Sequence, residues 1–134
     1  FKNFKFFDEN IFLYLENDDF CKRLVDANEN IYVAPKSKIN HLGGKAVSQK
    51  FSEEVELSRN WHWIWSKFYF QRKHKGYLVA LLNGLPTFLS AILRFLLYLI
   101  IFNSKKRNIY LHRAMGYLNA AMGRKSFFRP NIKI

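Results

Sequence analysis

Hydrophobic and polar positions divide this chain into three stretches with different periods. From Phe4 to Val47 the pattern is mixed. Phe12 to Leu15 form a short apolar run that enters an acidic turn, Glu16-Asn17-Asp18-Asp19. Phe20, Leu24 and Ala27 then recur at steps of four and three, which predicts a helix over 19–27. Asn28-Glu29-Asn30 reads as a turn, and Ile31 to Ala34 as a strand stopped by Pro35. Lys36 to Asn40 continues as a second extended piece, and Gly43-Gly44 frees the backbone beside His41. The class expected for this first stretch is α/β.

The second stretch, from Ser48 to Lys75, opens polar and becomes densely aromatic. Trp61, Trp65, Phe68 and Tyr69 share one face of a predicted helix, which ends in the basic cluster Arg72-Lys73-His74-Lys75. The third stretch begins with Tyr77 to Phe102, almost wholly apolar and longer than the roughly 20 residues that cross a bilayer. Within it Asn83, Thr87, Ser90 and Arg94 make a narrow polar stripe that Tyr98 extends. An arginine at the centre of a lone spanning helix costs a few kcal/mol. The pattern therefore predicts a helix lying in the interface, or a hairpin dipping into one leaflet, with a start or kink at Pro86. Basic residues on both flanks, Lys73 and Lys75 before and Lys105-Lys106-Arg107 after, agree with entry and exit on one side. A last helix is predicted from Asn108, with Ile109, Leu111, Ala114, Met115, Leu118 and Met122 on its apolar side, His112, Arg113 and Asn119 off it, and Gly123 as its stop.

Composition narrows the partners. A chain of 134 residues makes one domain at most and buries a modest core. Its 22 Lys and Arg against 10 Asp and Glu leave a formal charge of +12, which calls for an anionic partner. The cations flank apolar helices instead of forming a basic face on a reader of bases, so nucleic acid is not expected. Aromatic residues at 18% suit a membrane interface. Cys21 is the single cysteine, which favours a reducing compartment and a small packed residue over a nucleophile. No secretory signal is visible. The chain opens without Met and runs straight into a motif, so it is expected to be a piece of a longer protein.

The acidic run is the densest concentration of chemistry. Glu16, Asn17, Asp18 and Asp19 have apolar and aromatic residues on both sides. Such a run is either a helix amino-terminus, capped by Asn17 or Asp18, or a set of carboxylates held for metal or proton work. Its setting, from Phe7 through Glu16-Asn17-Asp18-Asp19-Phe20-Cys21-Lys22 to Arg23, resembles the acceptor-side motif of family 2 glycosyltransferases, notably the rhamnosyltransferase-like branch. Ile31 to Pro35 follows, and His41-Leu42-Gly43-Gly44 is similar to the family's His-x-Gly-Gly element. Arg59-Asn60-Trp61-His62-Trp63-Ile64-Trp65-Ser66 resembles its Arg-Asn segment, and Gly123 to Pro130 its carboxy-terminal signature. The motifs run in order over nearly the whole chain.

The resemblance implies an inverting, metal-dependent sugar transfer from a nucleotide-sugar donor to a lipid-linked or cell-surface saccharide. It would take place at the cytoplasmic face of a bacterial inner membrane, with the protein peripheral or monotopic on an anionic surface. It implies the acceptor-side portion of a GT-A-like α/β fold over 1–50, an aromatic connector over 51–76, and membrane-associating amphipathic helices with a basic tail over 77–134. The family's base lies second in a Glu-Asp-x-Asp-like element. Glu16 matches the first position and Asp19 the last, but Asn17 holds the base position and cannot accept a proton. Asp18 is the nearest replacement and Glu16 the next, so the base lies within Asp18, Glu16 and Asp19. His41 matches the ligand of the divalent metal, Mg or Mn, and Arg59 an arginine that contacts the donor diphosphate. Trp61 and Trp65 either wall the acceptor site or pack in the core. No Asp-x-Asp and no Gly-rich loop occur, so a complete donor site is not expected in this chain. The alternative is a non-catalytic, basic membrane-binding module.

Overall fold

The computed structural model of the protein describes residues 6–40 and 51–129. Its elements are α1 (Glu16–Asp26), α2 (Ser52–Lys75), α3 (Tyr77–Ile100) and α4 (Ser104–Ala121). In α1 the carboxylates of Glu16, Asp18 and Asp19 occupy the first turn and Arg23 the last, as the helix dipole favours. No side chain caps this helix. It begins instead from two left-handed residues, Tyr14 (φ 68°) and Leu15 (φ 66°).

The same charge order builds α2, with Glu53 and Glu54 in its first turn and Arg72 to Lys75 in its last. Trp61, Ile64, Trp65 and Phe68 are buried along one stripe. Gly76 (φ 91°, ψ 163°) ends α2 in a conformation open to glycine, and α3 starts at the next residue. Helix α3 runs on through Pro86, whose ring removes one amide donor without ending it. After the turn at 101–103, the Asn103 side chain caps α4 by accepting from the Lys106 amide at 3.0 Å.

Contacts set the directions. Glu56 meets Lys105, Asn60 meets Arg113 and Trp65 meets Arg124, so α2 and α4 run parallel. Leu81 meets Tyr117 and Arg94 meets Tyr110, so α3 runs antiparallel to α4. The core between them is Trp61, Ile64, Trp65, Phe68, Ala80, Tyr117 and Ala120. Gly116 allows the closest approach, because a Cβ there would collide with the Trp61 carbonyl.

Helices α3 and α4 are packed with small residues inward and large apolar ones outward. Ala80, Ala91, Ala114, Gly116 and Ala120 are buried, whereas Leu78, Leu82, Leu89, Leu93, Leu111, Met115, Leu118 and Met122 are exposed. This corrects the face predicted for α4. Of its six expected apolar residues only Ala114 is buried, and Asn119, expected off that face, is buried too. Small residues win the interface because they let helix backbones approach, leaving the long side chains no room inside.

The α/β class is also corrected. The regular elements among the described residues are all helices, with no strand among them. Ile31 to Ala34 has β-branched and aromatic residues, yet Tyr32 and Val33 are 84% and 86% exposed. A strand needs a neighbour for its backbone and a surface to cover its side chains, and neither is present among the described residues. The expected second extended piece opens instead with a turn, in which the Ser37 amide donates to the Ala34 carbonyl at 3.0 Å. The acceptor-side portion of a GT-A-like fold is thus not seen here.

Candidate functional site

Helix α1 docks its acidic first turn against the carboxy-terminal end of α2. Asp19 is fully buried at the contact. Its Oδ2 accepts from Arg23 Nε at 2.9 Å, one turn along α1. Its Oδ1 accepts from Lys73 Nζ at 2.7 Å and from His74 Nε2 at 2.8 Å, both on α2. Burial alone would raise the Asp19 pKa, but the hydrogen bonds from Lys73, His74 and Arg23 outweigh it and hold the carboxyl below its ordinary value. Lys73 also donates to Asp8 Oδ2 at 2.7 Å, beside the Tyr69 hydroxyl at 3.0 Å. Asp8 is lowered in the same way: burial opposes the shift, and the Lys73, Asn10 and Tyr69 bonds overcome it. The two carboxylates in turn raise the Lys73 ammonium against the opposing pull of burial.

A second polar contact lies about three turns back along the same face of α2. His62 is fully buried and donates from Nε2 to the Phe128 carbonyl at 2.8 Å. That bond leaves Nδ1 as the acceptor for the Ser126 hydroxyl at 3.1 Å. Burial lowers the His62 pKa, the Phe128 bond opposes this, and the Arg129 charge lowers it further. Between the two contacts lies an open cleft of about 780 Å³, lined by Asp8, Glu9, Arg23, Lys73, Ser126 and Arg129 among others.

The residues singled out from sequence are distributed unequally around this corner. Asp19 is inside it, with both oxygens committed to cations. Asp18 is exposed on the same turn. Glu16 is half-buried, and its Oε2 is shielded from solvent with no hydrogen-bond partner among the described residues. Arg59 is exposed on α2, roughly 21 Å along the helix from Lys73 at 1.5 Å per residue. The structure does not bring it to the carboxylates.

Trp61 and Trp65 are in the core. Trp61 stacks on Phe128 at 5.8 Å, Trp65 stacks on Tyr69 at 5.0 Å, and the two indoles stack on each other at 6.3 Å. Protein rings therefore cover the faces that a sugar would need. His41 lies outside the described residues. Among those residues no three His, Cys, Asp or Glu side chains come together as a metal shell, and the Asp19 oxygens already accept from Arg23, Lys73 and His74. His41, the ligand that the resemblance implies, is not among the described residues, and no chemical step is assigned to the ion.

Sequence reasoning gives Asp8, His62 and Ser126 no site role and reads Lys73 and His74 only as part of a basic helix end. The i, i+4 spacing of Asp19 to Arg23 and of Tyr69 to Lys73 was a readable signal, because both pairs fall on one helix face. The joining of Asp8 to α2 has no local signature. Comparison of the chain with family models, with characterised proteins and with solved structures gives no match.

Proposed function

We propose that this chain is the carboxy-terminal, membrane-seated part of an inverting family 2 glycosyltransferase. It would move a sugar from a nucleotide-sugar donor to a lipid-linked or cell-surface saccharide. The observation that carries the reading is the buried Asp19–Lys73–His74 contact. It fastens the acidic motif to a helical hairpin whose leucines point outward. Transfer chemistry on a lipid-linked acceptor needs carboxylates held just above an apolar layer, and this contact supplies that coupling.

Inverting transfer needs a base that removes the proton from the acceptor hydroxyl as the donor diphosphate departs. Asp19 is unsuited to it, since a carboxylate held low by hydrogen bonds from Lys73, His74 and Arg23 is a weak base. Asp18 is the proposed base, exposed on the first turn of α1, with Glu16 as the alternative. The divalent metal and the donor half belong to the same reading and stay part of the proposal. The cytoplasmic face of a bacterial inner membrane is the proposed location.

The test is sugar transfer from nucleotide-sugars to polyprenyl-linked saccharides by the whole protein. Removing a general base costs about 10²–10⁴-fold in rate, so Asp18→Asn combined with Glu16→Gln should abolish measurable turnover while leaving folding intact. Transfer indifferent to both changes would sink the site assignment. The outward leucines support a non-catalytic membrane-binding module equally well. Vesicle binding with no transfer to any acceptor would favour that second reading.

A further inference from the structure

Away from the acidic corner, the polar stripe of α3 faces α4 across a cavity of about 330 Å³. Thr87, Ser90 and Arg94 line it from α3, and Tyr110 and Arg113 from α4. Arg94 donates to the Tyr110 hydroxyl at 2.8 Å and its guanidinium lies 5.4 Å from the centre of that ring. The Arg113 guanidinium lies over the same ring, also at 5.4 Å. Two permanent positive charges thus share one tyrosine, and neither has a carboxylate partner among the described residues.

The hydrogen bonds already made leave donors to spare. Arg113 spends Nε on the Asn60 side chain at 2.7 Å, which fixes the plane of its fork and leaves both Nη groups. The Tyr110 oxygen accepts from Arg94, so its own proton is free to be donated. With the Ser90 and Thr87 hydroxyls, which can donate as well as accept, the cavity is rich in donors, which suits a tetrahedral anion. Two adjacent guanidiniums repel each other, and an anion between them turns that repulsion into two charge-assisted, bidentate contacts.

The surroundings specify what carries the anion. Leu89, Leu93 and Leu97 border Arg94 on α3 and are exposed. A free inorganic ion gains nothing from them, whereas an amphiphile buries its chain on them. In an interface, an arginine beside leucines can lay its stem on the apolar layer and pair its head with an anionic headgroup. We propose that this cavity binds the phosphate of a long-chain lipid, with Arg94 and Arg113 as the two forks. The inference rests on the membrane part of the reading above and deepens it: the site would hold the phosphate end of a lipid-linked acceptor.

The probe is polyprenyl phosphate in phosphatidylcholine vesicles, with the 134-residue chain floated on them. Phosphatidylcholine alone and phosphatidylcholine with phosphatidylglycerol at matched charge serve as comparisons. Polyprenyl phosphate should raise binding about tenfold over either, the worth of one good guanidinium–phosphate pair. Arg94→Gln and Arg113→Gln should each remove that preference while leaving attraction to phosphatidylglycerol, which the Lys105-Lys106-Arg107 cluster supplies. Ser90→Trp fills the mouth of the cavity and leaves both charges in place, so loss of the preference there identifies the cavity itself. Preference retained by all three variants overturns the proposal. Competition by an equal concentration of inorganic phosphate overturns the lipid as its source. Binding to all vesicles without preference overturns this site alone, whereas binding to none overturns the membrane part of the proposed function as well.

Discussion

Lys73 Nζ stands 2.7 Å from Asp19 Oδ1 and 2.7 Å from Asp8 Oδ2, so a single ammonium joins α1, α2 and the segment preceding α1. Asp19 is its fully buried partner. Taking one member from a buried ion pair costs about 3–5 kcal/mol, because the other charge is left desolvated. Lys73 keeps Asp8 when Asp19 is neutralised, which places the cost at the lower end. Asp19→Asn should therefore lower unfolding stability by about 3 kcal/mol in urea. The exposed pair of Lys22 and Asp26 gives the contrast, and Asp26→Asn should cost less than about 0.5 kcal/mol. Equal losses for the two variants would remove Asp19 from its role as the fastening.

The same groups set the acid side of the stability curve. His62 has a lowered pKa when folded, so the unfolded chain binds a proton first as pH falls. Its contribution is complete above the ordinary histidine value of about 6.5 and is lost as pH drops from there through the folded value. Asp8 and Asp19 are lowered too, so their contribution is complete above about 4 and is lost on further acidification. Acid titration should show two steps. The first is read by Trp61 fluorescence, since its ring lies 4.8 Å from the His62 ring and 5.8 Å from that of Phe128. His62→Gln should erase the first step and spare the second. Persistence of the first step in that variant would assign it elsewhere.

The helices were legible in the sequence wherever charge and period agreed. The aromatic stripe of α2 and its basic last turn, the apolar length of α3 and the Gly123 stop all reappear in the structure. What misled was reading apolar positions as buried ones. Leu111, Met115, Leu118 and Met122 have helical spacing, but Gly116 and Ala120 decide which face of α4 can reach α2. Period alone cannot rank a small residue above a large one. Likewise the β-propensity of Ile31-Tyr32-Val33 is an invitation to pair, and among the described residues nothing accepts it. In the acidic corner the sequence exposed the carboxylates and Arg23 and left the partners on α2 hidden. Lys73 and His74 read as a helix end and a headgroup layer, and only the packing of α1 on α2 shows that they face Asp19.

The turn between α3 and α4 offers a separation of solution stability from membrane affinity. Phe102 sits there with φ 54° and is 92% exposed. A left-handed backbone costs a residue with a Cβ roughly 1–2 kcal/mol, and Phe102 gains almost no packing in return. Asn28, the other left-handed non-glycine residue at a helix exit among the described residues, is of a type that tolerates the conformation. A bulky ring in that conformation at a hairpin tip, beside exposed Ile100 and Ile101, is explained if lipid receives it. Phe102→Gly relieves the strain but adds backbone freedom to the unfolded chain, so the net gain in water should be about 0.5–1 kcal/mol. Burying a phenylalanine side chain is worth about 1.5–3 kcal/mol. With partial insertion at an interface, the variant should therefore float on anionic vesicles about tenfold more weakly. A more stable protein that binds membranes less well is the expected signature. If Phe102→Gly floats as well as the parent chain, the tip does not enter the bilayer, and the outward leucines of α3 must find their cover on another protein surface.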